Sequence, residues 1–141
     1  MMQKIVTFVA IFGVGGALLA SSVRGQTAAA AAALQPVTVY IVQRHRFEPP
    51  TWGFDRETIT IPPGITVTWK SVPGNSDGHT STSNDDVWNS HVLNPGDTWS
   101  FTFSKAGSYR YHCALHPWMV GVVKVVAGAP VPPPISAPPS N

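Results

Sequence analysis

Thr98-Trp99-Ser100-Phe101-Thr102-Phe103, the turn Lys105-Ala106-Gly107, and Ser108-Tyr109-Arg110-Tyr111-His112-Cys113 read as two strands joined by a short connection. Successive side chains of an extended strand point to opposite faces. Trp99, Phe101 and Phe103 therefore share one side, and Thr98, Ser100 and Thr102 take the other. In the second run Tyr109, Tyr111 and Cys113 fall together, opposite Arg110 and His112. Cys113 is thus expected to point inward and His112 outward.

On either side the same pattern continues. Val37 to Val42, Thr58 to Ile61, Ile65 to Lys70 and Gly121 to Val126 are further short β-branched or aromatic runs. Turn residues separate them: Pro62-Pro63-Gly64, Pro73-Gly74-Asn75 and Asn94-Pro95-Gly96-Asp97. No amphipathic helical stretch of useful length and no internal repeat lies between residues 36 and 127. Strands at this spacing imply an all-β, two-sheet sandwich with aromatic side chains filling the space between the sheets.

The ends of the chain differ from this middle. Residues 1–25 carry Lys4, an apolar run of 16 residues from Ile5 to Ala20, and small residues ahead of Val23-Arg24-Gly25. They read as a secretory signal peptide, cut before Gln26 or after Ser22. A retained anchor is the competing reading, but a spanning helix wants about 20 residues, and this run is interrupted by Gly13, Gly15 and Gly16. Residues 26–35, with alanine from Ala28 to Ala33, form a linker, and residues 36–127 form the domain. Residues 128–141, six of them proline, are expected to make an extended, disordered tail outside the packed domain.

Without Lys4 and Arg24, seven basic side chains face seven acidic ones. That balance carries no argument for nucleic acid or for an anionic membrane surface. Export normally brings disulfides, yet a single cysteine closes no intramolecular bridge. Ligation to a metal would explain how a lone thiol persists in an oxidising compartment.

The residues after the second strand supply such a metal site. Cys113-Ala114-Leu115-His116-Pro117-Trp118-Met119 offers a thiolate, an imidazole and a thioether within seven residues. Zinc prefers a closed set of thiolates and imidazoles and has no use for a thioether. One thiolate, two imidazoles and a weak axial methionine suit a blue copper centre, because soft sulfur stabilises Cu(I) and imidazole satisfies Cu(II). The fourth ligand must be another of the five histidines. His112 neighbours Cys113 on the opposite face, and His45 lies between Arg44 and Arg46, whose charges disfavour a dication. His79 and His91 remain. Spacing favours His79, which follows a glycine-bearing loop and precedes the hydroxyls of Thr80-Ser81-Thr82-Ser83.

Val67-Thr68-Trp69, His79, Gly107, Tyr109, Tyr111, Cys113, His116, Met119 and Gly121 resemble the copper-binding half of the plastocyanin and amicyanin family of cupredoxins. The Cys-x-x-His-x-x-Met spacing with Pro117 after the histidine is most similar to amicyanin. The resemblance implies a Greek-key β-sandwich and one copper ion per chain cycling between Cu(I) and Cu(II). It also implies His79, Cys113, His116 and Met119 as ligands. Redox protein partners would dock on an apolar patch of Leu115, His116, Pro117 and Trp118, and the exported or periplasmic protein would be a monomer with no enzymatic activity. Two departures stand out. The family usually has Asn where this chain has Thr80, so hydrogen bonds near Cys113 are expected to differ, and Val37 to Arg56 match only loosely.

Other functions fit less well. A copper-delivery protein would need exchangeable ligands, whereas a buried thiolate suits retention. A copper enzyme would need a second site, yet residue 114 is alanine and no His-x-His pair occurs. A metal-free adhesion sandwich leaves Cys113, His116 and Met119 unexplained. Trp52 and Trp88 have no role here beyond packing.

Overall fold

The computed structural model describes residues 35–44 and 51–138. The segments read as signal peptide and most of the linker, together with His45, lie outside the described residues. Eight strands follow in order: β1 Val37–Arg44, β2 Thr51–Phe54, β3 Thr58–Ile61, β4 Ile65–Ser71, β5 Thr82–Ser83, β6 Thr98–Phe103, β7 Gly107–Cys113 and β8 His116–Val125.

They form two four-stranded sheets, ordered β2-β1-β4-β6 and β3-β8-β7-β5. The pairs β1 with β4 and β3 with β8 are parallel and the other pairs are antiparallel. A parallel neighbour cannot be reached by a tight hairpin. The chain therefore crosses between sheets, which gives the Greek-key sandwich.

Alternation places the core. In β4 Ile65, Val67, Trp69 and Ser71 are buried while Thr66, Thr68 and Lys70 are half-exposed. The outward hydroxyls pair across to β6, Thr66 with Thr102 and Thr68 with Ser100, each at 2.8 Å. Inside, Trp69 is fully buried and its ring meets those of Trp88, Trp99 and Tyr111 at centroid distances of 5.6, 5.8 and 5.4 Å. Each such large side chain taken out of water contributes roughly 1.5–3 kcal/mol, so this aromatic cluster is a main contributor to the packing of one sheet on the other.

Three features depart from the sequence reading. Strands β2 and β5 were not anticipated, both being very short. Strand β8 begins at His116 rather than Gly121, because Cys113 pairs directly with His116 and only Ala114 and Leu115 form the connection. Pro117 is tolerated there since β3 pairs with β8 only from Val122 onward, leaving one side of Pro117 without a strand neighbour. The proline-rich tail, expected to lie free of the domain, instead follows its surface. Val131 is half-buried against the core, and Arg56 Nη2 donates to the Pro133 carbonyl at 2.8 Å.

Candidate metal centre

Strand β7 ends on Cys113, whose side chain is fully buried as the alternation requires. The register shifts between His112 and Cys113, so the sheet bends just where the connection to β8 begins. Three residues later, at the start of β8, His116 is half-buried, and Met119 is buried on the alternation it shares with Gly121, Val123 and Val125.

His79 arrives from the other sheet's loop. Asn75 anchors that loop by donating from Nδ2 to the Ile41 carbonyl at 2.9 Å and to Ser71 Oγ at 3.0 Å. The backbone of His79 is then pinned to Leu93 by a pair of hydrogen bonds of 3.1 and 2.7 Å. Gly78 precedes it because a β-carbon there would lie 2.7 Å from Val92 Cγ1. The outcome is a histidine fully buried at one end of the sandwich.

His79, Cys113 and His116 bring one donor atom each to within 4.8 Å of one another. Cys113 Sγ is 3.9 Å from His79 Nδ1 and 3.6 Å from His116 Nδ1. Bonds of about 2.0 Å to nitrogen and 2.3 Å to sulfur, typical of a first-row ion, meeting at a trigonal angle leave the donors roughly 3.7 Å apart. The three side chains therefore fit a shared ion.

Burial lowers the His79 pKa from 6.5 to about 4, with repulsion from His116 adding to it and Asp77 opposing it. The ring is thus kept neutral, the form that ligates. Its Nε2 is buried and has no hydrogen-bond partner among the described residues.

Thr80 does the work near the sulfur. Its N–H donates to Cys113 Sγ at 3.3 Å, and its Oγ1 accepts from the Ala114 N–H at 2.8 Å. One residue so ties the His79 loop to the Cys113 sulfur and to the amide that follows Cys113. The hydroxyls anticipated from the sequence are used further out as well. Ser81 N–H donates to Ser90 Oγ at 2.8 Å, and Trp88 Nε1 donates to Ser81 Oγ at 3.0 Å.

The remaining candidates sit elsewhere. His112 faces outward, its Nδ1 2.7 Å from Asn84 Oδ1, and His91 is exposed. Trp118 is 59% exposed and Leu115 53%, so both side chains lie at the surface. Sequence reasoning missed Trp52, whose ring lies 4.9 Å from His79 and 6.3 Å from His116. The spacing of Trp52 and Phe54 around Gly53 was the available signal, an alternation too short to weigh by itself.

The copper binding proteins of the plastocyanin/azurin family match residues 48–126. Amicyanin of Paracoccus denitrificans is 27% identical over 121 residues, covering 82% of this chain and 87% of that protein. Amicyanin of Paracoccus versutus is 33% identical over 70 residues, covering 48% of this chain and only 53% of that relative's length. Among solved structures, a purple cupredoxin from Nitrosopumilus maritimus is similar at a TM-score of 0.56 and 31% identity, over 64% of this chain and 99% of that one. A mutant amicyanin in its reduced Cu(I) form at pH 4 gives a TM-score of 0.53 at 26% identity, over 70% of this chain and 89% of that one.

Proposed function

The chain belongs to the plastocyanin/azurin family of copper binding proteins, its cofactor is copper, and from that premise we propose that it carries single electrons between protein partners. His79, Cys113, His116 and Met119 are the residues that would hold the copper. The observation that carries this reading is the convergence of three donor atoms within 4.8 Å; Met119, the fourth residue of the pattern, is buried on the same strand as His116. Bound there, copper supplies a one-electron couple between Cu(I) and Cu(II).

The chain's own residues supply the rest. Sheets closed over an aromatic core hold the donors in one arrangement, which keeps reorganisation small between the two charge states. Burial of His79 and Cys113 excludes water from the inner side, and half-buried His116 gives the outer-sphere exit. Around it, exposed Leu115, Pro117 and Trp118 form the apolar surface on which a redox partner docks.

Copper delivery is the second reading. Fully buried Cys113 and His79 favour retention over release and rank it behind electron transfer. The protein is exported, acts as a monomer and catalyses no reaction of its own.

The test is the visible spectrum of the chain from Gln26 to Asn141 on stoichiometric addition of Cu(II), then of ascorbate. An intense blue band, bleached by reduction and restored by a mild oxidant, is expected. Copper that binds without an intense band, or does not cycle, would remove electron transfer and leave delivery.

A further inference from the structure

Strand β2 contributes no donor to the cluster, yet it places Trp52 against both candidate imidazoles. The Trp52 ring meets His79 at a centroid distance of 4.9 Å and an interplanar angle of 61°, and His116 at 6.3 Å and 48°. Trp52 is buried to within 8% of its surface, and His79 is fully buried. Trp118 meets His116 separately, at 5.3 Å.

A metal-binding histidine is usually oriented by a hydrogen bond from its other ring nitrogen. In His79 that nitrogen, Nε2, is buried and without such a partner among the described residues. Packing must then set the ring's torsion, and Trp52 is packed on it edge to face. The same indole touches the second imidazole, so one side chain from the opposite sheet governs the relative angle of two donors.

We propose that Trp52 is a positioning residue and a wall of the copper site: it fixes the two imidazole planes and closes one side of the cluster to small exogenous ligands. This rests on the assignment of His79 and His116 as ligands. A large rigid ring suits both tasks, since losing it removes the contact with each imidazole together with the barrier to solvent. Packing alone would need only bulk; a wall needs bulk at that place.

The test uses the copper-loaded chain with Trp52→Leu and Trp52→Phe, titrated with sodium azide and followed by visible and electron paramagnetic resonance spectra. The wild type is expected to resist azide. Both variants are expected to bind it saturably, at least about tenfold more tightly than the wild type, Leu more than Phe, with the intense band displaced before azide is added. Folding of each variant is checked on the metal-free protein by circular dichroism, and if Trp52→Leu does not fold, Trp52→Phe decides by the same titration. Folded variants with an unmoved band and the wild type's response to azide would overturn the proposal, as would a wild type that itself binds azide readily. A wild type with no intense band on Cu(II) would overturn the ligand assignment instead.

Discussion

Thr80 shows how one residue can join two segments of the chain. Its hydroxyl accepts from Ala114 N–H while its amide donates to Cys113 Sγ. Thr80→Val keeps the amide bond to sulfur but removes the acceptor of the Ala114 N–H and the 2.9 Å bond to Thr82 Oγ1, a loss of about 1–2 kcal/mol. Urea denaturation of the metal-free protein should show that drop, and Thr80→Ser should recover most of it. Cys113→Ala should abolish the intense visible band yet leave a folded sandwich, because the aromatic core does not depend on the metal. Unfolding of that variant at room temperature, read by circular dichroism, would contradict this. His79 sets a pH dependence of the metal-free protein. Its pKa is lowered on folding from 6.5 to about 4, so the unfolded chain takes up a proton that the folded chain refuses. Stability is full above about pH 6.5 and falls as pH drops toward 4, by roughly 2–3 kcal/mol. Denaturation midpoints across that window, compared with His79→Gln, isolate the effect.

Among the elements, the β7–β8 hairpin carries most of the site. Tyr111 and Gly121 are paired across it, and the Tyr111 ring covers the glycine. A β-carbon at Gly121 would fall 2.3 Å from Tyr111 Cζ. Gly121→Ala must push a fully buried ring that packs on Trp69 and Phe54. We expect a cost of about 1–3 kcal/mol, as for other overpacked cores, measured by urea denaturation. Because Cys113 and His116 pair at the end of the same hairpin, the intense band of the copper form should shift as well. The loop from Val72 to Leu93 is less regular, but the paired backbone of His79 and Leu93 makes it rigid where rigidity matters.

For the whole molecule, exposure around the cluster is asymmetric. One end holds the buried donors and, around half-buried His116, the exposed Leu115, Pro117 and Trp118. If two such patches meet in self-exchange, a charge placed there repels its twin. Leu115→Glu is expected to slow electron self-exchange on the order of tenfold or more through like-charge contact, measured by line broadening in nuclear magnetic resonance, with the visible spectrum unchanged. A rate equal to that of the wild type would place the exchange surface elsewhere. The tail's contact with Arg56 through the Pro133 carbonyl joins residues 77 positions apart.

Much of this was legible before any coordinates. Period-two alternation in Thr98–Phe103 and Ser108–Cys113 placed Trp99, Phe101, Phe103, Tyr111 and Cys113 on the core side, because strand geometry leaves a side chain only two directions. The spacing of Cys113, His116 and Met119 read as soft-metal chemistry for the same local reason: seven consecutive residues carry it. Spacing favoured His79 over His91 and resemblance strengthened that preference, since loop geometry follows only weakly from local sequence. Trp52, signalled only by a short alternation with Phe54, and the second role of Thr80 were not read from the sequence. They arise from contacts between elements far apart in the chain, which form only when β2 and the His79 loop close over the β7–β8 hairpin. A short-range pattern records which way a side chain points; what it meets there is set by packing.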